Sequence, residues 1–156
     1  MAQVAAVDDP LITSGGRLVE AYSFLERRLD ASLETRCGIP STWFEVLLRL
    51  ARADGGQLSM GALAEEVALT TGGITRLLDR MIGAGLVERR PCPTDRRVAF
   101  AALTPAGQTK IEEAAAIHAA DLQEIFAVFS PEERRTLDEL LDRLRTDAQR
   151  SGELRR

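Results

Sequence analysis

The apolar spacing changes period at Gly85, and that change constrains the fold more than any other feature of the chain. Before it, Ile74, Leu77, Leu78, Met81 and Ile82 recur three and four apart and form one helical face. After it come two short runs, LVERR (86–90) and RVAFAAL (97–103), flanking the turn PCPTDR, with Val98 and Phe100 keeping a period of two. Pro91 and Pro93 stiffen the tip of the predicted hairpin. Helical spacing then returns: Ile111, Ala115, His118, Leu122, Ile125 and Phe129 lie alternately four and three apart, a seam suited to helix-on-helix packing.

The flanking segments read as helices with local start and stop signals. Leu18, Tyr22, Leu25 and Leu29 predict an amphipathic helix from about Leu11 to Thr35, ended by Gly38 and Pro40. Ser41 or Thr42 is expected to cap a second helix, with Glu45 in the capping-box position and Trp43, Val46, Leu47 and Leu50 on its buried face. ADGG stops it at residues 53 to 56. Ser59 begins a short helix, SMGALAEEV, and Thr70 caps the next, with the turn ALT (68–70) between them. Leu63, Ala64, Val67, Leu69, Ile74 and Leu77 occupy the positions a helix-turn-helix requires, Ala64 being small where the two helices cross. Ala68 stands where glycine is common. Thr104 caps the long helix with Pro105 at its first position, and Ser130, Pro131 and Glu133 start a last helix by a capping box, striped by Leu137, Leu140, Leu141 and Leu144. Residues after about Arg150 are expected to fray.

Size and charge narrow the function classes. A chain of 156 residues supports one domain or one intertwined protomer. No apolar run approaches the roughly 18 residues a membrane span needs, and no export signal is read at the start, so a soluble, cytoplasmic protein is expected. Cys37 and Cys92, far apart in sequence, make no disulfide scaffold. The net charge of −4 argues weakly against nucleic acid. Its distribution argues the other way: Arg76, Arg80, Arg89, Arg90, Arg96 and Arg97 face only Asp79, Glu88 and Asp95 in the window between residues 76 and 97. Lys110 is the sole lysine, so the basic groups are almost all arginines, suited to forked contacts with phosphates and base edges.

TTGGITRLLDRM (70–81) poses a specific question, because Gly72 and Gly73 open a helix in which each costs about 1 kcal/mol relative to alanine. The first amides of a helix point outward at the positive end of its dipole, and glycines there let the backbone approach a phosphate or a base edge. Thr70, Thr71, Thr75 and Arg76 lie at or near the same exposed face, where they can donate to phosphate or read the major groove. Ser59 and Arg80 complete the candidate DNA-binding set in this region. The competing reading is that the glycines permit close packing against another helix. A nucleotide-binding phosphate loop is not indicated, since GxxxxGK[ST] is absent and no strand feeds the turn.

The stretch LAEEVALTTGGITRLLDRMIGAGLVERRPCPTDRRVAFAALTPAG resembles the winged-helix core of the MarR family of bacterial transcription regulators, most specifically in Asp95, Arg96 and Arg97 followed by LTPAG. The resemblance covers nearly the whole chain. It implies a mainly α fold, a winged helix-turn-helix with long N- and C-terminal dimerisation helices and a two-stranded β wing. The corresponding division is 1–40 for the N-terminal dimerisation helix, 41–104 for the DNA-binding domain and 105–156 for the C-terminal dimerisation helices. It also implies an obligate homodimer on a palindromic operator in double-stranded DNA, with Asp95 orienting Arg97, and Arg96 beside it, toward the minor groove. A small aromatic effector is implied by the same likeness, and Tyr22, Trp43, Phe44 and a cation such as Arg17 or Arg27 are the candidates to hold it.

Other chemistry finds little support. His118, the one histidine, lies on the helix seam, where packing is the favoured role and a pH or ligand gate the rival. One histidine does not make a metal site, and neither a metal nor a cofactor is expected. Cys92, between two prolines and near Arg90 and Arg96, or Cys37, beside Arg36, offers a redox-responsive alternative. The peroxide-sensing branch of the family has its reactive cysteine early in the first helix, where this chain has none. A winged-helix module that binds protein through the same surface is a further alternative. No paired carboxylates share a loop and nothing carries catalysis, so an enzyme is not expected.

Overall fold

The computed structural model describes residues 6–67, 71–91 and 98–153. Its elements run α1 (Pro10–Cys37), α2 (Ser41–Arg52), β1 (Gln57–Ser59), α3 (Met60–Glu66), α4 (Thr71–Gly83), β2 (Val87–Pro91), β3 (Ala99–Leu103), α5 (Pro105–Ile125) and α6 (Pro131–Glu153). The chain divides into two compact units, Met1–Ala119 and Ala120–Arg156. No helix among the described residues is long and apolar enough to cross a membrane.

In the first unit the helix ends follow local chemistry. Asp9 accepts from the Leu11 amide at 2.8 Å to start α1, and Gly38 ends it at φ 70°, its amide donating to the Glu34 carbonyl. Ser59 caps α3 through the Ala62 amide, and Thr104 caps α5 through the Gly107 amide at 3.0 Å. The start of α2 differs from expectation. Neither Ser41 nor Thr42 caps it: Ser41 is already its first residue, Pro40 occupies the cap position, and the Ser41 amide donates to Asp30 Oδ1 of α1 at 2.7 Å. A carboxylate from a neighbouring helix does the work expected of a local hydroxyl.

The hairpin is joined by a third strand that the two-stranded reading lacked. The sheet is antiparallel in the order β1-β3-β2, with Val87 opposite Leu103, Arg89 opposite Ala101, and Leu58 also opposite Ala101. As the central strand, β3 buries both Ala101 and Ala102, although successive residues point to opposite faces. Leu33, Phe44, Val46, Leu47, Leu50, Leu63, Ile74, Leu78, Met81, Val87 and Ile111 close around it as one core. Each fully buried leucine or isoleucine there contributes about 2 kcal/mol. The N-terminal part of α1 stays outside this core: Leu11 is 79% and Phe24 66% exposed, and Ile12, Val19 and Tyr22 are exposed as well.

Three elements meet at Gly85 and Leu86. The Leu86 amide closes α4 by donating to the Met81 carbonyl at 3.1 Å, with Gly85 at φ 74° making the reversal. The Thr104 hydroxyl donates to the Gly85 carbonyl at 2.6 Å, and the Thr104 amide to the Leu86 carbonyl at 3.2 Å. The end of α4, the root of β2 and the start of α5 are thereby tied together.

The second unit holds the end of α5, a tighter turn at Phe126–Val128, and α6. The expected capping box is present in both directions: the Ser130 amide donates to Glu133 Oε2 at 2.8 Å, and the Glu133 amide to Ser130 Oγ at 3.2 Å. The apolar seam of α5 stops at Ile125; Phe129 lies past the helix end in extended backbone. Leu140, Leu141 and Leu144 of α6 are exposed.

Candidate nucleic-acid interface

The apolar face of α4 is spent on the core, so its other face is what the molecule presents. Ile74, Leu77, Leu78 and Met81 are buried, whereas Gly72, Arg76, Asp79, Arg80 and Gly83 are exposed. A Cβ at Gly72 would meet nothing within 4 Å among the described residues. Helix packing therefore supplies no reason for glycine at position 72, and the reading of that residue as a packing device is not supported. An open backbone at the start of a helix is what close approach to an anion requires. Gly73 and Thr75 are half-buried.

Arg76 and Arg80, one turn apart, carry no ion pair among the described residues. The hairpin arginines differ. Along β2, Arg89 falls on the same side as the buried Val87, toward α4, and its Nη2 donates to Asp79 Oδ1 at 2.7 Å. Arg90 falls on the opposite side with Glu88, two residues away, and binds its Oε1 at 2.6 Å. Two of the locally concentrated arginines are thus held by protein carboxylates, leaving Arg76 and Arg80 as the available cations on α4. These pairings were legible only through strand alternation, once the register was known.

The remaining sites distribute as follows. Ser59 is half-buried and its hydroxyl accepts from the Ala62 amide, which occupies it as a cap. Thr71 is the first residue of α4. Thr70, Asp95, Arg96 and Arg97 lie outside the described residues, as do the turn ALT and Cys92. Among the effector candidates, Phe44 is 7% exposed and stacks on His118 with ring centroids 4.5 Å apart. Trp43 is half-buried against the core. Arg17, Tyr22 and Arg27 stand exposed on α1, where the Arg27 guanidinium sits 4.8 Å from the Phe24 ring centre. The Tyr22 hydroxyl donates to Glu26 Oε1, and that hydrogen bond and the Glu26 charge hold its pKa above the ordinary phenol value. These five divide between a core and a solvent-facing helix surface.

Cys37 is buried, and burial pushes its thiol pKa up, with the Lys110 charge opposing in part and Glu113 adding to the rise. That is the opposite of an activated thiol. Lys110 donates to the Cys37 carbonyl at 3.2 Å and pairs with Glu113 at 2.8 Å, placing the only lysine at the negative end of α1. Among the described residues no cluster of three or more histidine, cysteine or acidic side chains could hold a metal ion.

Comparison with known proteins agrees with this geometry. Residues 38–98 match the model of the MarR family. The chain is 32% identical over 131 residues to the HTH-type transcriptional regulator MhqR of Bacillus subtilis, covering 84% of this chain and 88% of that protein. It is 31% identical over 130 residues to the multiple antibiotic resistance protein MarR of Salmonella typhimurium, covering 83% and 89%. A MarR family transcriptional regulator from Streptomyces coelicolor, solved in complex with DNA, superposes with a TM-score of 0.79 at 26% identity, over 92% of this chain and 89% of that one. The chain belongs to the MarR family, whose members are DNA-binding transcription regulators and not enzymes.

Proposed function

We propose that the chain is a homodimeric, sequence-specific repressor that places α4 in the major groove of a palindromic operator and is released by a small aromatic or phenolic ligand. The observation that carries the DNA half of this reading is the exposed face of α4, where Gly72 leaves the backbone open and Arg76 and Arg80 stand uncommitted to carboxylates among the described residues. In this reading residues 41–104 bind DNA, and Arg97, oriented by Asp95 with Arg96 beside it, enters the minor groove.

Dimerisation is supported by the apolar side chains each unit exposes. Leu11, Ile12, Leu18, Val19, Tyr22 and Phe24 on α1 form one set, and Leu140, Leu141 and Leu144 on α6 another. Large contiguous apolar surface on a water-borne protein marks an interface. A second copy of the same helices, residues 1–40 and 105–156, covers them. Two recognition helices about 34 Å apart then meet successive major grooves, so half-sites fall roughly 10 base pairs apart. A ligand that favours a dimer with another spacing depletes the binding-competent form.

Selection of duplexes from a random pool, followed by gel-shift titration of wild type and Arg97→Ala at fixed salt, tests the reading. An inverted repeat is recovered, its binding falls steeply with salt, and Arg97→Ala loses it while sedimentation still shows a dimer. Recovery of no preferred duplex, or a monomer in sedimentation, overturns it. Loss of the salt dependence would favour a protein-binding module on the same surface.

A further inference from the structure

Asp79 sits where a carboxylate is least welcome. It lies on the exposed face of α4 one turn from Arg76 and next to Arg80, the surface that meets phosphates in the function proposed above. An uncompensated carboxylate there repels the DNA backbone at close range. Its charge is met instead by Arg89, at 2.7 Å, reaching across from β2. Arg89 can do so because it shares the Val87 side of the strand, while Arg90 is turned away and held by Glu88. The connection from α4 to β2 is short and closed by the Leu86 and Gly85 amides, so it fixes where β2 begins. It does not fix the direction in which the strand leaves. The Asp79–Arg89 pair adds a second point of attachment, three residues further along the strand than the Leu86 bond.

We propose that Asp79 and Arg89 are positioning residues for DNA binding: their ion pair sets the angle between α4 and the hairpin, so that both engage duplex DNA as one body. Neither side chain needs to touch the DNA for this. The inference rests on the DNA-binding reading of the α4 face. The rival role for Arg89 is direct contact with a phosphate, and the rival role for Asp79 is electrostatic repulsion that limits affinity.

The test is a double-mutant cycle on the duplex selected by the wild-type protein, read across a salt series. Asp79→Asn and Arg89→Gln each weaken binding by about three- to tenfold, and the double variant is no weaker than the poorer single, because both remove the same pair. Arg89→Lys, which keeps the charge, stays within about twofold of wild type. The slope of log affinity against log salt is unchanged in Arg89→Gln, since no phosphate contact is lost, and the thermal midpoints stay close to wild type because the pair is solvent-exposed. Additive losses, a slope reduced by about one in Arg89→Gln, or tighter binding by Asp79→Asn overturns the proposal. A wild type that selects no duplex defeats the DNA reading itself, an outcome distinct from any of these three.

Discussion

Gly107, in the first turn of α5, lies so close to Leu86 that a Cβ on it would overlap the Leu86 carbonyl oxygen and approach the carbonyl carbon to 2.9 Å. The obstacle is backbone at a point where Leu86 already accepts from the Thr104 amide. Leu86 cannot retreat without losing that bond. The glycine of LTPAG is thus a steric requirement of the joint between the hairpin and the long helix.

Gly107→Ala should therefore destabilise the protein by about 3 kcal/mol, the upper end for overpacking, because backbone must shift. Guanidinium denaturation followed by Trp43 fluorescence measures it. A stability equal to wild type would show that α5 slides freely on Leu86.

Gly72→Ala should do the reverse. Its Cβ enters open space, so the substitution gains helix propensity, about 0.5 kcal/mol this near the helix start, while selected-duplex affinity falls by about tenfold. The same denaturation assay and a gel-shift titration give the two numbers. Raised stability with unchanged affinity would remove Gly72 from the interface.

Asp30 gives a pH signature. The Ser41 amide, and then its hydroxyl, hold the Asp30 carboxyl below the ordinary aspartate range. A depressed folded-state pKa means the contribution is present above the unfolded value and is lost as pH falls through the folded one. Asp30→Ala should lower stability by about 1 kcal/mol at pH 7, a typical cap loss, and the gap to wild type should begin to narrow as pH falls below about 4 and close only once pH has passed the depressed folded-state value. A gap of constant size from pH 7 to the acid limit of the folded protein would mean packing, not the cap, is what the substitution removes.

Cys37 should be a slow thiol. In a Cys92→Ser variant, alkylation by iodoacetamide at pH 8 should run at least about tenfold slower in the native protein than in guanidinium, because burial both blocks access and disfavours the thiolate. Equal rates would reopen Cys37 as a redox site.

What could be read from the sequence was local. The Ser130–Glu133 box and the Thr104 cap each lie within one helical turn, and both formed as expected. The cap of α2 was missed because its acceptor, Asp30, stands eleven residues back on another helix. Strand β1 was missed because three residues are too few to show alternation; only pairing with Phe100, Ala101 and Ala102, far along the chain, defines it. Phe129 kept the numerical spacing of the α5 seam while the helix tightened and ended ahead of it. The open face of α4 was legible, since Arg76 and Arg80 follow from the buried positions of Ile74, Leu77 and Leu78. The Asp79–Arg89 pair was not, since it joins a helix to a strand whose register the sequence leaves undefined.

The knot of hydrogen bonds at Gly85, Leu86 and Thr104 acts mechanically as a rigid coupling. Torque applied to α5 reaches α4 and β2 through two adjacent peptide units, with no slack segment to absorb it. Any ligand that rotated the first turns of α5 would have to swing α4 with it or rupture the coupling.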